Sequence, residues 1–443
     1  MFQRQSLVAA ATLWLAAPAA ARLPSQAPRL PPPDPGRYEI VQVDTPQELA
    51  DACWNLESGQ AIVVAPGTYD LGDVDFPNGV DGRLTVGRFG APPIADVQIR
   101  GATGDPADVV LLGRGPLDPL VPFGFQIFTA TDVLIADLSI GSVYYHAVAI
   151  QGDQGAERVR LYHTRAFDAG QQIVKGIAGA HDVAIEYSEI FHTAGAPQHP
   201  EGSPPGSCYT NGVDALGVSG WVLSDNLIRG IYCQDGTLAG SAVLLWQGAT
   251  DTVVERNTLL ESSRGIHLGL GPGDHTGGLV RDNFVRWDPD APYVVDVGIY
   301  TVSPGSLVLH NTVLTEGRYP NAVEVRFASA TGVEVRHNLL DAAIQPRDGA
   351  EPVVEDNLTN AQPAWFIAPE GGDLHLTARA TPALDQVDAL PAAPNDFDGG
   401  ARPAAPGATD LGADERGAGG PIFADGFESG DTAAWTSTVA QPR

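Results

Sequence analysis

The chain has 443 residues, with 54 acidic side chains against 25 basic ones and a formal net charge of -29. That balance argues against nucleic acid or an anionic membrane as a partner. It also means that an acidic ligand would need a local cluster of positive charge. The basic residues are all arginine except Lys175, the single lysine.

The opening MFQRQSLVAAATLWLAAPAAARLP carries an apolar run from Leu7 to Ala17 and small residues at Ala19 and Ala21. These predict a secretory signal over residues 1–21. The run is too short to span a bilayer, and no later stretch approaches twenty apolar residues. The expectation is an exported, soluble and monomeric protein: periplasmic, extracellular or held at the cell surface. Residues 22–37, RLPSQAPRLPPPDPGR, read as an extended proline-rich linker.

Folding is expected from Tyr38. TPQELADACWNLESGQAIVVAPGTYDL predicts one amphipathic helix followed by a strand, suited to cap the open end of a stack of strands. From residue 133 one phrase returns, in forms such as VLIADLSI, VAIEYSEI, WVLSDNLI, VVERNTLL and LVLHNTVL. Its last six copies hold Asn226, Asn257, Asn283, Asn311, Asn338 and Asn357 in one slot, nineteen to thirty-one residues apart. A repeat of that length, with alternating apolar residues on either side of a turn residue, indicates a solenoid of strands. Asparagine suits the slot because it tolerates a left-handed bend and its amide can bond to the next Asn in the stack.

A second strand precedes each phrase across a short turn: HAVAIQG, QQIVKG, NGVDALG, SAVLLWQ, RGIHLGL, VGIYTV and NAVEVRF. The return loops after the Asn vary widely in length. The whole pattern resembles the pectate-lyase-like superfamily of secreted proteins over residues 38–416. The resemblance implies an all-β fold, a right-handed parallel β-helix of about nine to eleven coils. Residues 417–443, with PIFADGFESGDTAAW, are similar to a short tail of exported bacterial proteins and read as a sorting signal.

Equivalent residues of stacked coils lie about 4.8 Å apart, so columns can be read from an alignment of the second strands. One runs His146, Gln171, Asn211, Ser241, Arg264, Val297, Asn321. The next runs Ala149, Val174, Asp214, Leu244, His267, Tyr300, Glu324, and a third contains Trp246 and Arg326. Polar and aromatic groups in register suit a polysaccharide groove, with Trp246 and Tyr300 under sugar rings and Gln172, Asn211, Asp214, Asn321, Glu324 and Arg326 as further contacts. Counting ten residues to the following phrase puts Lys175 in an inward column. A shift of one residue would turn it outward.

The nearest functional analogy is the chondroitinase-B and alginate-lyase-like polysaccharide lyases, in which a lysine is the base, an arginine assists the leaving oxygen and calcium neutralises the uronic carboxylate. Lys175 resembles that base and Arg264 the arginine, although they stand three coils apart, about 14 Å. A competing set is Arg264, His267 and Tyr300 with Glu324 and Arg326. The resemblance therefore implies a lyase acting by β-elimination on an acidic polysaccharide. A glycoside hydrolase and a non-catalytic carbohydrate-binding protein are the alternatives. Asp214, Asp274, Asp296 and Glu324 are oxygen donors for a calcium ion, but no loop has the spacing of a dedicated site. No zinc site and no organic cofactor are expected. Of Cys53, Cys208 and Cys233, the last two sit in neighbouring repeats and form the expected disulfide.

Overall fold

A computed structural model describes residues 27–77 and 82–417, so the expected signal over 1–21 and nearly all of the expected tail lie outside the described residues. Each repeat folds into one coil of three short strands, and the coils stack into three parallel sheets. Sheet 1 has ten strands, from Leu84–Val86 to Ala343–Arg347. Sheet 2 has twelve, from Glu39–Val43 to Val353–Glu355, and sheet 3 has ten, from Gly67–Asp70 to Leu339–Leu340. Within a coil the chain passes from sheet 1 across a turn to sheet 2, bends at the Asn slot into sheet 3, and returns through the variable loop. The molecule is an all-β parallel β-helix.

The bend explains the asparagines. Asn283 is fully buried, and its Oδ1 accepts both the backbone N–H and the Nδ2 of Asn257, each at 3.0 Å. Its own Nδ2 donates to Val254 O, Arg281 O and Asn311 Oδ1 at 2.8–2.9 Å. The same pattern links all six asparagines, and Asn226 Oδ1 extends the ladder back to the Ser188 amide at 2.9 Å. One detail of the expectation is corrected. The left-handed residue is the one before each Asn: Asp225, Arg256, Asp282, His310, His337 and Asp356 all have φ between 50° and 59°. That arrangement leaves the asparagine side chain free to point inward and carry the ladder.

Helix Pro46–Trp54 is capped by Thr45, whose side chain accepts the Glu48 amide, and it buries Leu49, Ala50 and Cys53 against the first coils. The proline-rich stretch from residue 27 has neither helix nor strand until Glu39, yet it lies along the coils. Arg29 donates to Thr103 O at 2.8 Å and Arg100 to Pro31 O at 2.6 Å, while the Tyr162 hydroxyl donates to Pro28 O. After the last coil the chain doubles back, covering Phe284, Leu314 and Leu339 with Phe366, Leu374, Leu376 and Leu411. Arg402 locks this closing segment, fully buried between Asp282 at 2.8 Å and Glu415 at 3.2 Å.

Candidate functional site

In sheet 1 the strand residues Val148, Val174, Val213, Val243, Ile266, Ile299 and Val323 point into the core. The next residue of each strand therefore faces out, and pairing sets these side by side: Ala149, Lys175, Asp214, Leu244, His267, Tyr300 and Glu324. Lys175, and not Val174, is thus the neighbour of Asp214. By the same offset Gln172 takes the position that the alignment gave to Gln171. The count failed because turns between sheets 1 and 2 differ in length from coil to coil, so distance to the following phrase is no ruler for register.

Lys175 Nζ lies 2.9 Å from Asp214 Oδ2, with the two side chains 11% and 2% exposed. Trp246 Nε1 donates to the other oxygen of the same carboxylate at 2.8 Å. Beside them Gln172 is buried, its side-chain amide turned towards Tyr209. Its carbonyl lies 2.8 Å from His146 Nδ1. Burial, against that bond and with Lys175 and His199 adding to it, pulls the His146 pKa down to about 3, so this ring is neutral. Asn211 Nδ2 donates to Ser241 O at 3.3 Å. Half-buried Tyr209 completes this side, its pKa raised by burial and by Asp214.

The remaining predicted residues form a separate group. Arg264 Nε binds Asp296 Oδ2 at 3.0 Å and its Nη1 donates to Ala239 O at 3.1 Å. His267 is 4% exposed, neither ring nitrogen has a hydrogen-bond partner, and burial drives its pKa to about 3. Tyr300 stacks on it with centroids 4.7 Å apart and donates to Leu270 O at 3.0 Å. Tyr300 is expected as an open sugar platform, but it is only 6% exposed, because Val297, Val302, Tyr319 and Phe327 pack around it beside His267. Glu324 accepts from Asn321 at 2.7 Å and from Arg347 at 3.0 Å, and Arg326 pairs with Asp348. The strands of Asp214 and Ser241 separate Lys175 from Arg264, so the two do not meet.

Sequence reading missed a group on the other side of Lys175. Tyr144 and Tyr145 both donate to Glu201, and Phe123, Tyr145, His146 and His199 surround them with centroid separations of 4.3–6.2 Å. The VYYH run ahead of a strand and the HPEG in the longest return loop were the available signals. The Cys208–Cys233 disulfide pins the end of that loop to the next coil, and Cys53 is a free, buried thiol.

The four oxygen donors considered for calcium do not converge. Asp214, Asp296 and Glu324 are bound to cations, and Asp274 Oδ2 accepts the Leu270 and Gly271 amides. Among the described residues the one converging His/Asp set is His375, Asp398 and Asp414 in the closing segment. There burial opposes charge on His375, but bonds to Asp373 at 2.6 Å and Asp398 at 3.2 Å outweigh it and raise its pKa to about 10. An imidazolium already neutralises part of that cluster.

Among solved structures, the pectate lyase Pel9A superposes with a TM-score of 0.56 at 13% identity, over 86% of this chain and 97% of its own. The fold is that of the pectate-lyase-like right-handed β-helices. An alginate lyase from Paenibacillus sp. str. FPU-7 matches with a TM-score of 0.41 at 14% identity, over 72% of this chain and 99% of its own. A mannuronic acid specific polysaccharide family 6 lyase from human gut microbiota gives 0.38 at 13%, over 72% and 83%. No family model and no curated protein matches the sequence. At these identities the likeness concerns the fold.

Proposed function

We propose that this β-helix is an exported polysaccharide lyase that cleaves a uronic-acid-containing chain on the outer face of sheet 1, with Lys175 as the base. The observation that carries the reading is the placement of the only lysine in the outward column, buried at its base and braced by Asp214. In this mechanism the Lys175 ammonium first gives a proton to solvent, and the neutral Nζ then takes the proton from the carbon next to the uronic carboxylate. The electron pair left behind forms the ring double bond, and the glycosidic oxygen departs and takes a proton from water. An amine can accept a proton where a guanidinium cannot. Asp214 keeps the Trp246 N–H as a donor throughout, so its charge remains solvated as the amine changes state. Gln172 Nε2 supplies a buried donor within the same group. The alternative base His267 is buried and stacked against Tyr300, and its arginine neighbours are committed to carboxylates.

A second reading, a carbohydrate-binding β-helix without turnover, is favoured by the ion pair itself, which ties up the lysine in the free protein. Hydrolysis by paired acids is the weakest, because Asp214 and Glu324 stand four strands apart in sheet 1 and that chemistry needs carboxyls about 5 to 9.5 Å apart. Incubation with uronic polysaccharides separates the three. A lyase yields a product that absorbs in the ultraviolet, a hydrolase yields reducing ends alone, and a binder retains the polymer unchanged. Elimination should vanish in Lys175→Arg with the melting temperature kept. Full activity in that variant would remove Lys175 as base.

A further inference from the structure

The Phe123–Tyr145 side of Lys175 has the form of a sugar shelf, and its charge restricts what can lie there. Phe123 and Tyr145 are half-buried with centroids 5.4 Å apart, on the two coils preceding that of Lys175. Beneath them Tyr144 and His199 are buried, their rings 4.3 Å apart. The far rim is the exposed Glu201 carboxylate, held by both tyrosine hydroxyls. Aromatic faces next to carboxylate and amide groups accept pyranose rings, stacking on C–H faces while polar atoms take the hydroxyls.

A polymer of uronic acid alone would place a carboxylate in each successive subsite. On this face, among the described residues from Phe123 to Arg347, the cations that flank the outward column are already paired: Lys175 with Asp214, Arg264 with Asp296, Arg326 with Asp348 and Arg347 with Glu324. At the shelf the fixed charge is Glu201, of the same sign as a uronate. We propose that the shelf is a subsite for an uncharged sugar, so that the substrate is an acidic heteropolysaccharide in which the uronic acid at Lys175 adjoins a neutral residue. The inference rests on the reading of Lys175 as the base of a lyase.

The test is a comparison of polymers on wild type and two variants. Homopolymers are polygalacturonate, polymannuronate and polyguluronate; alternating polymers are hyaluronan, unsulfated chondroitin and a galacturonate–rhamnose backbone. Initial rates come from ultraviolet absorbance and affinities from titration of the Lys175→Arg protein. At least one alternating polymer should exceed every homopolymer by about tenfold, the scale of one like-charge contact near solvent. Glu201→Gln should narrow that ratio, and Tyr145→Ala should raise KM for the alternating polymer more than it lowers kcat. Should Tyr145→Ala not fold, the exposed Glu201→Gln still decides. Equal or better use of a homopolymer, or no change of the ratio in Glu201→Gln, would overturn the neutral subsite while leaving the lyase standing. Elimination from none of the six would overturn both.

Discussion

Lys175 Nζ and Asp214 Oδ2 meet at 2.9 Å on adjacent strands of sheet 1, the amine at the edge of solvent and the carboxylate beneath it. Removing one partner of such a pair strands the other charge, whereas removing both does not. Lys175→Met and Asp214→Asn should therefore each lower stability by about 1–3 kcal/mol, and the double variant should lose clearly less than their sum. Thermal or urea unfolding of the four proteins gives the coupling. Additive losses would mean that the contact contributes nothing in solution.

Asn283→Ala removes two rungs of the ladder at once, one on each side. A loss of about 1–3 kcal/mol is expected, with the rate of any polysaccharide cleavage unchanged at low temperature. A variant of full stability that lost turnover would contradict a structural role for that slot.

Trp246 and Tyr300 should part company. Trp246→Ala is expected to weaken polysaccharide binding with little change in melting temperature, since the ring is only half-buried and meets Asp214 at its rim. Tyr300→Ala opens a hole over His267 and should cost about 3–5 kcal/mol while leaving affinity nearly intact. The reverse pattern, read by calorimetry and binding titration together, would exchange their roles.

The closing segment should be tighter in mild acid than at neutral pH. Burial raises the pKa of Asp282 to about 7 and that of Asp414 to about 6, and burial likewise raises Glu415 to about 7, against the pull of Arg402 or His375. Folded values above the unfolded ones mean stability that is full below about pH 4 and lost as pH climbs through 6 to 7. Hydrogen exchange of the Leu376, Leu411 and Ala413 amides, corrected for intrinsic rates, should show less protection at pH 8 than at pH 5. Equal protection would refute the shift.

The coil pattern was legible because each repeat states the same physics. Inward valines alternate with outward residues, and in the last six coils an asparagine recurs at the buried bend, where Thr164 and Ser188 hold the slot in earlier coils. The functional face was legible only in part. Asp214 and Trp246 came from reading columns, but the column held Gln171 where Gln172 stands, and Lys175 could not be assigned a side while one unknown turn length decided register. Tyr300 looked exposed because an outward strand position was equated with solvent, when a neighbouring ring can cover it. Tyr144, Tyr145, His199 and Glu201 lie in loops of irregular length, where no period carries spatial information. Their meeting depends on how the long loop before Cys208 folds back.

The asparagine ladder has a mechanical side. Its amide bonds run from coil to coil, along the axis of the stack, so a pull on that axis loads every rung in series with the same force. Such a chain yields at its least sheltered link. Here that is Asn338 to Asn357, where the last asparagine is half open to solvent and the strand leading to it, Val353–Glu355, is exposed. Under tension the rod should therefore unwind from its C-terminal coil inward, one turn at a time, and the coils that carry Lys175 would be reached late.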